Sequence, residues 1–206
     1  MYDWRIMHGN VIKSFILFLN SKSNQYILKG GTSLMLCYGL TRFSEDIDLD
    51  ALCNKDIKQI VNDFCRISNY TFRVAKDTNT VKRYMIHYGG NKPLKVEISY
   101  RRRVIESCEY TIINNILVYN ICSIMSFKLN AYNNRDKIRD LFDIVFMSKN
   151  YWDVLPQSLR LQLVDALSFK GLEHFDYLIK TQSDELIDNS VLADEFLDLY
   201  NKLGLL

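Results

Sequence analysis

At 206 residues, with 48% of them hydrophobic, the chain is long enough for one large domain or two small ones around a real core. Only two prolines and eight glycines punctuate it, which excludes a disordered or low-complexity polymer. A formal net charge of +2 is too small to argue for nucleic-acid binding by itself.

The first predicted element is an amphipathic helix over about residues 3–21, with Ile6, Val11, Ile12, Phe15 and Leu19 near one face. Its apolar run Val11 to Leu19 is interrupted by Lys13 and Ser14. It falls short of the ~20 residues a membrane span needs and lacks a small-residue cleavage site. A cytoplasmic protein without membrane contact is expected. Tyr26 to Leu28 reads as a short strand running into Lys29-Gly30-Gly31-Thr32-Ser33. Thr32 or Ser33 is placed to cap a helix over Leu34–Tyr38, and Gly39 to stop it. A second strand follows, with Asp46, Asp48 and Asp50 on one face and Ile47 and Leu49 on the other.

Asn54 or Asp56 opens a helix over about 55–68. Strands are predicted over about 70–76, 81–89 and 94–101, with a Gly89-Gly90-Asn91 turn between the last two. In the third of these, Val96, Ile98 and Tyr100 alternate with Lys95, Glu97 and Ser99, so Glu97 faces away from the Val96 side. One more strand fits about 116–119. From Ile121 onward the pattern is helical, over about 121–132, 136–149, 155–169, 171–180 and 191–203, with breaks at Asn133-Asn134, Pro156, Gly171 and 183–190. The change of pattern predicts a mixed α/β (α+β) domain over residues 1–120 and a helical bundle over 121–206.

Two carboxylates one residue apart on a strand repel each other and resist desolvation, and a divalent cation between Asp46 and Asp48 is the simplest compensation. Asp50 shares their face but lies further along the strand and is read as outside the set. The Gly-Gly turn opens a helix upstream, and a helix N-terminus favours phosphate. A phosphate turn beside a carboxylate pair suggests a nucleotide site. A Walker P-loop, a GxGxxG turn, a GxSxG elbow and an HExxH helix do not occur in the sequence. Cys37, Cys53, Cys65, Cys108 and Cys122 form no CxxC pair and read as free thiols. His8, His87 and His174 are too scattered for zinc. Lys128, Arg135, Arg139 and Asp143 are spaced so that, on one helix, they stay on one face. Taken alone they read as a solvated charged face. Lys82, Arg83, Arg101, Arg102 and Arg103 make a basic patch, with Tyr84, Tyr88 and Tyr100 near it as potential base-stacking rings.

The combination Gly30-Gly31-Thr32, Leu34, Arg42, Ser44, Asp46, Asp48, Glu97, Lys128, Arg135, Arg139-Asp140 and Asp143 resembles the AbiEii/AbiGii toxin-like family of the nucleotidyltransferase superfamily. The resemblance covers roughly residues 25–146. It implies a nucleotidyltransferase-type mixed sheet with flanking helices, followed by the helical bundle. It implies transfer of a nucleoside monophosphate from an NTP to an acceptor hydroxyl, with release of pyrophosphate. Asp46, Asp48 and Glu97 become the ligands of Mg2+ or Mn2+. Gly30, Gly31, Thr32 and Ser33 become donors to the triphosphate, with Arg42 and Ser44 in phosphate-binding or positioning roles. Lys128 becomes a triphosphate-binding cation, with Arg139, Asp140 and Asp143 beside it, either acid orienting Lys128 or an arginine. The cleft between the domains is where the triphosphate is expected. tRNA is the implied acceptor and a cognate antitoxin the implied partner. Transfer to a small molecule or a protein, and a nucleotide-binding module without turnover, are the alternatives.

Overall fold

The computed structural model describes residues 3–102 and 104–206; Arg103 of the expected basic patch lies outside them. The chain divides into two compact units, Met1–Tyr119 and Asn120–Leu206.

The first unit opens with α1 (Trp4–Lys22), capped by Asp3, whose side chain accepts from the Arg5 amide at 3.1 Å. β1 (Tyr26–Lys29) leads directly into α2 (Gly30–Cys37), and then come β2 (Ile47–Ala51) and α3 (Lys58–Ser68). The strands β3 (Thr71–Asp77), β4 (Val81–His87), β5 (Leu94–Ser99), β6 (Tyr110–Ile113) and β7 (Ile116–Tyr119) complete it. All seven strands join one mixed sheet of order β3-β4-β5-β2-β1-β7-β6. β2 runs parallel to β5, β1 runs parallel to β7, and the other pairs are antiparallel.

Strand alternation separates the two faces of this sheet. Leu28, Ile47, Leu49, Val96, Ile98 and Val118 pack with α1 (Val11, Ile12, Phe15, Ile16, Leu19) and α3 (Val61, Phe64, Cys65) in a single core. Ile12, Phe15, Ile16 and Leu19 are fully buried. Each is worth about 1.5–3 kcal/mol relative to exposure. The opposite parity on β2 and β5 holds Asp48, Asp50, Lys95 and Glu97, so core formation on one side presents the charged side chains together on the other.

Two sequence expectations change here. The second helix begins at Gly30 rather than Leu34, because the left-handed φ of +75° at Gly30 turns the chain straight out of β1. Its N-cap is Lys29, which makes no side-chain cap hydrogen bond, so neither Thr32 nor Ser33 is the cap. The strand β6 went unread because its hairpin turn is Asn114-Asn115, two non-glycine residues at positive φ (+50° and +63°).

The second unit comprises α4 (Ile121–Asn134), α5 (Ile138–Asn150), α6 (Gln157–Thr181) and α7 (Asn189–Lys202). Gly171 interrupts α6 with φ +68° and ψ 177°, where the sequence places a break. α5 is buried on nearly every side, and Phe175 of α6 stacks on Phe196 of α7 at 4.2 Å between ring centroids. Among the described residues, no helix is long and apolar enough to cross a membrane.

Candidate active site

Register brings four charged residues side by side on the face of the sheet away from α1 and α3. Lys29 on β1 lies opposite Asp48 on β2, Asp48 opposite Glu97 on β5, and Glu97 opposite Arg83 on β4. Placing two acids directly opposite each other is destabilising, and it is the central pair here that is alike. Arg83 donates from Nε to Glu97 Oε2 at 2.7 Å, and its Nη2 lies 2.5 Å from the same oxygen. Just before the strand, Asp46 Oδ2 is 2.7 Å from the Nζ of Lys95, which lies two residues before Glu97. Burial raises the Asp48 carboxyl above the 3.8 of an ordinary aspartate; Lys95 opposes this, while Asp46 and Glu97 add to it.

Asp50 is buried beneath this row. Lys29 Nζ donates to its Oδ1 at 2.5 Å, and the Tyr119 hydroxyl donates to Oδ2 at 2.9 Å. Arg102 in turn donates to the Tyr119 oxygen at 3.1 Å. Asp50 thus anchors Lys29 from below.

The Gly-Gly turn touches the acids directly. A Cβ at Gly30 would lie 3.2 Å from Asp48 Oδ2. A Cβ at Gly31 would meet Arg42 Nη2 at 2.7 Å and Ser44 Oγ at 2.8 Å. Arg42 and Ser44 are therefore packed under the turn, and both are buried. Thr32 donates from Oγ1 to the Asp46 carbonyl oxygen, and its Oγ1 accepts from the Ser44 hydroxyl at 2.9 Å, tying α2 to the start of β2. The Ser33 hydroxyl donates to the Gly30 carbonyl oxygen at 2.6 Å. With both hydroxyls engaged inside the fold, the groups this turn offers to a ligand are the backbone N–H groups of the first helical turn.

The loop ahead of Asp46 is held from the other side by His8 of α1. A carbonyl only accepts, so His8 donates from Nε2 to the Glu45 carbonyl oxygen at 2.7 Å. In the neutral ring Nδ1 then accepts from the Tyr88 hydroxyl at 2.5 Å. His8 is buried, and nothing in the sequence around it distinguishes it from an ordinary helical residue.

In the second unit, the spacing of Lys128, Arg135, Arg139 and Asp143 does not lie on one helix. The chain leaves α4 at Arg135, whose backbone is extended (φ −155°, ψ 157°), and re-enters a helix at Ile138. The turn nevertheless gathers most of the group. Lys128 Nζ lies 2.9 Å from Asp140 Oδ1 and 2.6 Å from Asp143 Oδ2, and both carboxylates are buried. Arg135 donates to Asp140 from Nε at 2.7 Å and from Nη2 at 3.0 Å. Burial works to raise the Asp140 carboxyl, but Arg135 and Lys128 outweigh it and hold the group below the ordinary value. Both acids hold Lys128, the alternative the sequence left open. Arg139 is engaged elsewhere, by Asp184.

The basic patch is largely neutralised. Lys82 pairs with Asp56 and Asp77 at 2.8 Å each, Arg83 with Glu97, and Arg102 with Glu109 at 2.9 Å. Tyr84 and Tyr88 are buried, Tyr84 donating to Asp56 Oδ1 at 2.5 Å and Tyr88 bonded to His8. Neither ring is exposed to stack on a base, which corrects that expectation for these two, whereas Tyr100 is only half-buried. The alternation of Tyr84 and Tyr88 places them among core residues rather than on a surface.

Lys29 and Lys95 are site residues that the sequence did not single out, and it places Arg83 only in the basic patch. Lys95 and Glu97 share a strand parity, which was legible, but strand order was not, and only order puts Lys29 and Arg83 beside the acids. As the side chains stand, no three His, Cys, Asp or Glu residues among those described converge on one metal position, since Asp46 turns to Lys95 and Glu97 to Arg83. The donor set still suits a hard divalent cation. It is all-carboxylate, one member is destabilised as an anion chiefly by burial, and a cationic ammonium already contacts another.

A family model described as nucleotidyl transferase AbiEii toxin, type IV TA system, matches residues 16–203. No protein of curated function matches the sequence. Among solved structures, JHP933 from Helicobacter pylori is similar at 29% identity and a TM-score of 0.81, over 98% of this chain and 93% of that one. MenT4, a nucleotidyltransferase toxin from Mycobacterium tuberculosis H37Rv, is similar in fold at 16% identity and a TM-score of 0.60, over 95% of this chain and 82% of that one.

Proposed function

The chain belongs to the AbiEii nucleotidyltransferase toxin family of type IV toxin–antitoxin systems, and from that premise we propose that it moves a nucleoside monophosphate from an NTP to an acceptor hydroxyl in a metal-dependent reaction. The observation that carries this reading is the opposed pair Asp48 and Glu97, with Asp46 beside them and the N-terminus of α2 against Asp48. A like-charged pair at the head of a helix is costly to fold and useful only if a cation and an anion arrive together.

Asp46, Asp48 and Glu97 would hold Mg2+ or Mn2+, which when bound neutralises phosphate charge and polarises the α-phosphate. The first-turn N–H groups at Gly30–Ser33 would donate to the triphosphate, with Arg42 and Ser44 fixing the turn from beneath. Glu97 keeps Arg83 on Oε2 and offers Oε1 to the site. The acceptor hydroxyl would lose its proton to solvent as its oxygen bonds to the α-phosphorus, while the bond from that phosphorus to the bridging α–β oxygen breaks and pyrophosphate leaves. In the second unit Asp140 and Asp143 would fix Lys128 as a preset cation for the triphosphate. Arg139, held by Asp184, would brace that unit. tRNA is the first acceptor to try, and a cognate antitoxin the partner, on the strength of family membership.

The test is incubation of the purified chain with each labelled NTP, Mg2+ and total tRNA, next to Asp48→Ala. Labelled tRNA with wild type alone is expected. Label on protein or a small molecule instead would replace the acceptor. No label on any acceptor, with every NTP, would overturn the transferase reading.

A further inference from the structure

The cations flanking the acid row differ in a way that bears on metal binding. Arg83 reaches Glu97 through a single carboxylate oxygen, Oε2, from both Nε and Nη2. Glu97 can therefore keep this partner while its other oxygen ligates a metal. Lys95 likewise engages a single oxygen of its acid, but it does so at the corner of the sheet where Asp46 and Asp48 would share a metal. Its Nζ sits 2.7 Å from Asp46 Oδ2, and Lys95 and Asp46 lie two residues before Glu97 and Asp48, respectively. The ammonium thus points into the same corner of the sheet from which a cation shared by Asp46 and Asp48 would be bound. Mg2+ requires oxygen ligands at about 2.0–2.1 Å in near-ideal octahedral geometry, which leaves no room for an ammonium on the same oxygen.

We propose that Lys95 is a built-in competitor of the metal: its ammonium holds Asp46 Oδ2, a divalent cation that takes this oxygen must displace it, and Lys95 thereby lowers the metal affinity of the site. The proposal rests on the metal reading above. Displacement opens an ion pair that is only partly exposed, with 27% of the Lys95 side chain and 45% of the Asp46 side chain accessible. Such a pair opposes metal binding by a small factor rather than abolishing it. The freed ammonium remains tethered beside the acids. It also explains why a lysine stands on this face, where core packing makes no demand for one: Lys95 alternates with the core residues Leu94 and Val96 and packs with neither.

The test uses Mn2+ alone, without nucleotide, titrated into the full chain with free Mn2+ read by electron paramagnetic resonance. Lys95→Met is expected to bind Mn2+ about two- to fivefold tighter than wild type, the range for a partly exposed ion pair. Lys95→Arg, which keeps the charge, is expected to match wild type. Arg83→Met removes the same charge from the neighbouring acid and controls for a general field effect; it is expected to tighten binding less. Lys95→Gln carries the same expectation as Lys95→Met should the latter fold poorly by circular dichroism. Lys95 variants that bind no tighter than Arg83→Met overturn the competitor role while leaving the metal site in place. If folded wild type and Lys95→Met both fail to bind Mn2+, the metal reading fails, and the competitor role with it.

Discussion

Asp48 and Glu97 face each other across two parallel strands, the only step of the Lys29–Asp48–Glu97–Arg83 row at which like charges meet. Burial, Asp46 and Glu97 raise the Asp48 carboxyl above 3.8, against the opposing pull of Lys95. A carboxyl raised in the native state stabilises the fold below its unfolded pKa, and that contribution is lost as pH rises through the native value. At neutral pH the ionised Asp48 is therefore a cost. Asp48→Asn is expected to raise Tm at neutral pH while lowering nucleotide transfer by more than about a hundredfold, beyond the range for losing an outer-shell metal partner. The gain in Tm should shrink as pH is lowered, because wild type then carries a neutral group at the same place. Thermal scans at neutral and acidic pH, beside a transfer assay, read both halves. A fall in Tm at neutral pH would contradict the electrostatic account.

Gly30 combines a left-handed φ of +75° with a virtual Cβ 3.2 Å from Asp48 Oδ2. Gly30→Ala is expected to cost about 1–2 kcal/mol from the backbone alone. For a chain of this size that is a fall in Tm of roughly 2–8 °C. It should also push the Asp48 carboxylate, so Mn2+ affinity is expected to fall with stability. Gly39, also at positive φ (+77°) but with nothing within 4 Å of its virtual Cβ, separates the two effects. Gly39→Ala should lose stability without changing metal affinity, which paired calorimetry and Mn2+ titration would show.

How much of this was legible in the sequence follows from the range of each interaction. The Gly-Gly turn and the alternating Asp46 and Asp48 are local, so spacing alone located them. The α/β character and the change to helices near residue 120 are periodicities, and they too could be read. Strand order is a long-range property. Lys29 and Arg83 reach the acids only because β1 and β4 flank β2 and β5, and no local pattern says so. The Lys128–Asp143 group shows the converse. Its spacing fits one face of a helix, but the break read at Asn133-Asn134 falls inside it, and the turn at Arg135 brings most of the charges together from two helices.

That second cluster has its own pH signature. Asp140 is lowered below 3.8, burial being outweighed by Arg135 and Lys128. A carboxyl depressed in the native state gives stability present above its unfolded value and lost as pH falls through the native one. Asp140→Asn leaves the buried Asp143 with Lys128 but removes a carboxylate partner of Arg135. The expected loss is about 1.5–3 kcal/mol at neutral pH, the range for hydrogen bonds to a charged group, since Lys128 keeps Asp143 and Arg135 is largely exposed. Wild type and variant should converge only once the pH has fallen below the depressed native value of Asp140, where both carry a neutral side chain. Urea unfolding at the two pH values, followed by a probe in the second unit, measures this. A difference that persists in acid would show that the loss came from packing rather than charge.

His8 links α1 to the loop that delivers Asp46. It donates to the Glu45 carbonyl oxygen and is bonded to Tyr88 on its other nitrogen. Replacing it by Phe keeps a ring among Trp4, Phe43 and Tyr88, which pack around it edge-on, but takes the His8 partner from the part-buried Glu45 carbonyl oxygen and from the Tyr88 hydroxyl. The expected cost is about 1–3 kcal/mol for each group so stranded. Tyr88→Phe strands only His8 Nδ1 and should cost less. The two variants should also differ in function. His8→Phe releases the residue next to Asp46 and is expected to weaken Mn2+ binding, whereas Tyr88→Phe leaves the Glu45 contact in place and should bind Mn2+ as wild type does. Equal Mn2+ affinity in His8→Phe and wild type would show that Thr32, which also holds Asp46 through its carbonyl oxygen, fixes the acid without help from α1.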